Sequence, residues 1–104
     1  MFFYKDSNRK YVYVNEITRK LFNRNLDQII GFDDSEFFNI NELSELVKND
    51  SRVLDLGETV AEEEMNIIKA TGEIKVYLSV KKPIYNNNQE IIGLLGISTD
   101  ITDI

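Results

Sequence analysis

The stretch Glu90-Ile91-Ile92-Gly93-Leu94-Leu95-Gly96-Ile97-Ser98-Thr99, close to the end of the chain, decides the fold. Its apolar residues run almost without interruption instead of alternating, and aliphatic β-formers dominate, so it reads as a strand covered on both faces. Such a strand belongs in the middle of a sheet. Gly93 and Gly96 take side chains away from opposite faces, which inside a strand marks a close approach by another backbone, a bulge or a ligand. The polar Asp100-Ile101-Thr102 then ends the strand abruptly, as expected of a domain that hands on to something further along a longer protein.

Working backwards, Glu73 to Lys82 alternates strictly, with Ile74, Val76, Leu78 and Val80 set against Lys75, Tyr77, Ser79 and Lys81. Thr59 to Lys69 pairs with it through a Thr71-Gly72 turn. Pro83 closes the alternating strand, where a missing donor is tolerated, and Asn86-Asn87-Asn88-Gln89 supplies the loop into the last strand, with its asparagines offering positive φ. At the other end, Phe2 to Lys5 and Lys10 to Val14 form a hairpin around Asp6-Ser7-Asn8-Arg9, with Asn8 the best candidate for a left-handed position.

Between the hairpins the period becomes helical. Asn15 caps a short helix through Phe22 with Ile17 and Leu21 on one face, and Asn25 caps a second from Leu26 to Ile30 that closes at Gly31. Phe32 to Phe38 is an acidic, aromatic connector. Leu43, Leu46 and Val47 mark a third helical piece, and Asn49-Asp50-Ser51 interrupts it so that Asp50 recaps a last piece ending at Gly57. Two strands, short helices and three strands make one α+β domain, residues 1–104, with helices on one face of an antiparallel sheet.

Composition narrows the function. The chain has 104 residues, a formal net charge of −6, and neither Cys nor His. Scattered Lys and Arg give no basic footprint for nucleic acid. No run is long and apolar enough to span a membrane, and Met1-Phe2-Phe3-Tyr4 is too short and too soon interrupted by Lys5-Asp6 to read as a secretory signal, so a cytoplasmic domain is expected, with tethering of its parent left open. Without thiolate or imidazole there is no disulfide, no Cys or His metal ligand, and no nucleophile beside a base; the domain is expected not to be an enzyme. Glu62-Glu63-Glu64 is not expected to bind metal, because neighbouring strand residues face opposite ways. Asp33-Asp34-Ser35-Glu36 lacks the spacing of a calcium loop and reads as a solvated connector.

The chain resembles a PAS domain over essentially its whole length. The resemblance rests on Phe3-Tyr4-Lys5-Asp6, Tyr11-Val12-Tyr13-Val14-Asn15, Leu26-Asp27-Gln28-Ile29-Ile30-Gly31, Val53-Leu54-Asp55-Leu56-Gly57, Lys82-Pro83-Ile84-Tyr85, and Ile91-Ile92-Gly93 running to Asp100-Ile101-Thr102. It departs at Arg9, where the family often has glycine, and at Asn88-Gln89. The resemblance implies a five-stranded sheet in the order 2-1-5-4-3, with a pocket between helices and sheet. Val47, Val53, Leu54, Met65, Ile67, Val76, Leu78, Val80, Leu95 and Ile97 are the expected lining of that space, whether it holds a small ligand or is simply filled. The family's His-ligated haem, cysteinyl-flavin and Cys-linked chromophores are excluded by the missing His and Cys; any other cofactor is unknown. The outer face, with Tyr77, Ile92 and Leu94 as interface candidates, is expected to form a homodimer. Asp100, Ile101 and Thr102 are expected to pass a signal to an output domain such as a histidine kinase or diguanylate cyclase. The alternative is a ligandless dimerisation or protein-interaction module.

Overall fold

Aromatic and β-branched residues from both ends of the chain build a single sheet in the computed structural model, which describes residues 1–41 and 43–104. The strands are β1 (Phe2–Asp6), β2 (Tyr11–Val14), β3 (Val60–Ile67), β4 (Ile74–Tyr85) and β5 (Ile91–Asp100). They pair antiparallel in the order β2-β1-β5-β4-β3, so the last strand is central, as its sequence predicts. A Cβ at Gly93 would run into the carbonyl oxygen of Lys5, and one at Gly96 into the ring of Phe3. Both glycines therefore mark close approaches, one by backbone and one by an aromatic ring.

The first hairpin and the β4–β5 loop share one turn geometry. Asp6 Oδ1 accepts from the backbone N–H groups of Asn8 (2.9 Å) and Lys10 (3.0 Å), and Asn86 Oδ1 accepts from those of Asn88 (2.9 Å) and Glu90 (3.0 Å). Anchored in this way, each loop puts its fourth residue in the left-handed region: Arg9 (φ 63) and Gln89 (φ 63). The expected left-handed Asn8 and the loop asparagines are corrected accordingly. Their side chains are not what selects the position; the bond to the first residue of the loop is.

Helix α1 (Glu16–Phe22) starts at Asn15, whose Oδ1 accepts from the Thr18 N–H at 3.3 Å. Short 3-10 turns follow at Leu26–Gln28 and Asp34–Glu36. Helix α2 (Glu45–Leu56) then runs without a break and ends at Gly57 (φ 69). The expected interruption at Asn49-Asp50-Ser51 is absent. Asn49 and Asp50 are turn formers by propensity, yet both are buried on the inward side of α2 and held there by partners on the sheet. Tertiary pairing overrides their local preference.

The core lies between the helices and the inner face of the sheet. Phe22 and Phe37 stack with centroids 4.3 Å apart, Tyr11 and Phe38 meet them edge-on, and Val14, Ile29, Val53, Val60, Ile68 and Leu94 close around them. The inner face of β4, however, carries Tyr77, Ser79 and Lys81, all buried, while Leu78 and Val80 are 42% and 44% exposed. The alternation is as predicted and its polarity is reversed.

Candidate functional site: a sealed polar interior and a tied C-terminus

The space expected to be an apolar pocket is occupied by charge. Lys5 of β1 and Lys81 of β4 point into it from the sheet, Asp50 comes from α2, Asp34 from the second 3-10 turn, and Glu64 from β3. None of these five is more than 2% exposed. Lys5 Nζ bonds Asp34 and lies 2.6 Å from Asp50 Oδ2; Lys81 Nζ lies 2.8 Å from Asp50 Oδ1 and 2.7 Å from Glu64 Oε2. Arg9 reaches in from the hairpin, 3.1 Å from Asp50 and 3.3 Å from Asp34. Its left-handed backbone is thus spent at a position where the side chain has ion-pair partners. Tyr11 donates its hydroxyl to Asp34, and Asn49 Nδ2 donates to Glu64 at 2.9 Å.

Three cations meet three carboxylates, so the formal charge of the cluster is balanced. Burial alone would raise the Asp50 carboxyl, but the ammonium groups of Lys5 and Lys81 overcome that and hold it far below the usual carboxylate range. Burial likewise pulls Lys5 down, and Asp34 and Asp50 beside it push it above its ordinary value. The Tyr11 hydroxyl is driven well up, by burial first and by Asp34 second. These shifts favour the charged Asp50 carboxylate, the charged Lys5 ammonium and the neutral Tyr11 phenol.

Among the described residues this interior holds a cavity of about 10 Å³ bordered by Lys5, Tyr11, Asn66, Lys81 and Ser98. That is about the room of one water. Asn66 Oδ1, buried and without a partner among the described residues, faces the need such a water would meet. This cavity is too small for a flavin or a haem, whose sites need hundreds of Å³.

Of the residues expected to line a pocket, Val53 is buried in the core, and Val47 and Leu54 pack against it. Met65, Ile67, Val76, Leu78, Val80, Leu95 and Ile97 lie instead on the outer face, with Met65 65% and Ile97 55% exposed. Of the expected interface residues, Tyr77 and Leu94 are buried on the inner side, and Ile92 is 41% exposed beside the register shift between Ile84 and Tyr85. The apolar outer face exists, but with the opposite set of residues. Glu64 turns inward, whereas Glu62 pairs with Arg52 of α2 at 3.3 Å and Glu63 is exposed. Asp34, expected in a solvated connector, is fully buried.

At the end of β5, Asp100 Oδ1 accepts from the Thr102 N–H (3.0 Å) and hydroxyl (2.5 Å). Lys75 Nζ donates to Asp100 Oδ2 at 3.1 Å, the Val76 N–H donates to Thr102 Oγ1 at 3.0 Å, and the Ile101 N–H donates to the Val76 carbonyl at 2.9 Å. The exit of the chain is tied to the start of β4. The Thr102 hydroxyl and N–H, helped by Lys75, hold the Asp100 carboxyl down at about 2.

A helix-capped antiparallel sheet of order 2-1-5-4-3 defines the class, an α+β domain with a closed interior and an open second face. A family model described as PAS fold matches residues 1–103, and the chain belongs to that family. It is 40% identical over 103 residues to a diguanylate cyclase of Vibrio cholerae, covering 98% of this chain and 32% of that protein. It is 30% identical over 102 residues to the methanogenesis regulatory histidine kinase FilI of Methanothrix harundinacea, covering 98% of this chain and 11% of the kinase. The chain thus spans a third or less of these relatives. The crystal structure of a PAS domain from Colwellia psychrerythraea superposes with a TM-score of 0.80 at 24% identity, over 99% of this chain and 86% of that one. Among the described residues no helix is long and apolar enough to cross a membrane.

Proposed function

We propose that the chain is a non-catalytic regulatory module of a longer signalling protein with a diguanylate cyclase or histidine kinase output, and that it works through surface contacts, not through a ligand enclosed in its core. The observation that carries this reading is the interior: it is filled by mutually neutralising side chains, with room left for about one water. Of the two readings the sequence leaves open, a filled core favours the interaction module.

Two surfaces are available for that role. The outer sheet face, with Met65, Leu78, Val80 and Ile97 exposed, is an apolar area of the kind that marks an interface, and a second copy of the domain is its proposed partner. The Asp100–Thr102 tie is the proposed exit, because its bonds to Lys75 and Val76 join the sheet to whatever follows. Docking on the sheet then favours one arrangement of the tie over another, a population shift with no chemistry of its own.

The test is a chimaera in which this chain replaces the matching segment of the Vibrio cholerae cyclase. Cyclase activity is expected to be retained and to change several-fold on Asp100→Ala. Equal activity in the chimaera, its Asp100→Ala form and a form with the segment deleted would refute the regulatory role.

A further inference from the structure

Between α1 and the adjoining ends of β4 and β5 lies an open groove of about 630 Å³. Ile17 and Leu21 of α1 give it an apolar wall, Lys20 stands on the same helix with its side chain exposed, and Lys75, Tyr77 and Asp100 lie across from them. This is far from the sealed cavity in size, and it falls within the range of small-molecule sites: mostly apolar, with a few polar groups.

Tyr77 is the second observation. The residue is only 3% exposed, yet it lines the groove, and its hydroxyl is not among the sealed, unpartnered polar atoms of the described residues. A buried tyrosine ordinarily finds a partner for its hydroxyl. A hydroxyl at the wall of an open groove can donate to an acceptor bound there.

We propose that this groove binds a small carboxylic acid with an aliphatic or aromatic body, the body lying on Ile17 and Leu21 and the carboxylate taking the Tyr77 hydroxyl proton as a hydrogen bond with Lys20 as its counter-charge. Burial, with Asp100 adding to it, pushes Tyr77 up to about 12, so the hydroxyl stays a donor at neutral pH. Lys75 already pairs with Asp100 at 3.1 Å, so that carboxylate of the groove does not repel the ligand unopposed. Among the described residues the partner of Lys20 is the exposed Glu16 on its own helix, at 3.3 Å, and the lysine can swing away from it at little cost. Because Lys75 and Asp100 also form the C-terminal tie, occupation of the groove bears directly on the exit of the chain.

The experiment is a titration of the isotope-labelled chain with octanoate and, separately, with octanol, read from backbone amide shifts. Octanoate is expected to produce saturable shifts at Ile17, Leu21, Tyr77 and Asp100, and to bind more tightly than octanol. Tyr77→Phe keeps the ring and is expected to weaken binding roughly five-fold, the worth of one hydrogen bond; Lys20→Gln, an exposed change that leaves the fold intact, is expected to weaken it as well. No saturable shifts at millimolar octanoate, shifts confined to the outer sheet face, or octanol matching octanoate with both variants titrating as the parent would overturn the proposal.

Discussion

Lys81 shows how much of this domain turns on single side chains. A lysine that is 1% exposed survives inside a protein only because Asp50 and Glu64 meet it at 2.8 and 2.7 Å. Lys81→Met keeps the apolar stem but leaves two carboxylates facing each other without it, and is expected to cost about 3–5 kcal/mol in urea denaturation. Leu78→Ala, three residues away on the same strand and on the opposite face, is expected to stay within about 0.5 kcal/mol. The same cluster sets the acid limit. Asp50 has a folded value below its unfolded one of about 3.9, so its contribution is complete above that pH and fades as pH falls toward the folded value. Lys5 has a raised value, so its contribution is complete below its unfolded value of about 10.4 and is lost only above that. Melting temperature is therefore expected to be nearly level between those limits and to drop on the acid side. At the exit of the chain, Thr102→Val removes the hydroxyl that most holds Asp100 at about 2; the carboxyl is then expected to titrate closer to about 3.9, as followed by NMR.

Among the elements, β5 and α2 mark the two extremes of what can be read in advance. The near-continuous apolar run of β5 identifies it as central because burial on both faces is a property of the strand itself. The Asn15 cap and the Gly57 stop are equally local and equally legible, whereas in the two loops only the presence of a turn is legible and the left-handed residue, Arg9 or Gln89, is not. In α2, Asn49 and Asp50 look like a break, and only the sheet explains why they are not. The reversal of β4 has the same origin. Its alternation is visible, but the inward choice of Lys75, Tyr77, Ser79 and Lys81 over Ile74, Val76, Leu78 and Val80 depends on carboxylates arriving from α2, β3 and a 3-10 turn. A buried cation becomes acceptable only once its partners are placed, and no pattern within one strand contains them. Strand order and register place Lys5, Lys81 and Glu64 on one face, but Asp34 and Asp50 lie outside the sheet and are not placed by it.

For the whole molecule, the reversal leaves a sheet with its aliphatic side chains facing outward. Light scattering at rising protein concentration is expected to show a dimer. Val80→Glu with Ile97→Glu, on adjacent positions of β4 and β5, is expected to return it to a monomer without loss of the fold. A monomer at high concentration would exclude the self-association and leave the face to a different partner.

The charged interior has a thermal consequence. Heat capacity rises when unfolding wets apolar surface and falls when it wets polar surface, and here a good part of what unfolding releases is ammonium, carboxylate, amide and hydroxyl. Calorimetry is expected to give an increment below the about 12–15 cal/mol/K per residue of ordinary domains. A smaller increment flattens the dependence of stability on temperature, so warming and cooling change the folded fraction less than they would around an oily core. The ion pairs that leave so little space inside this domain would then serve it as a thermal buffer.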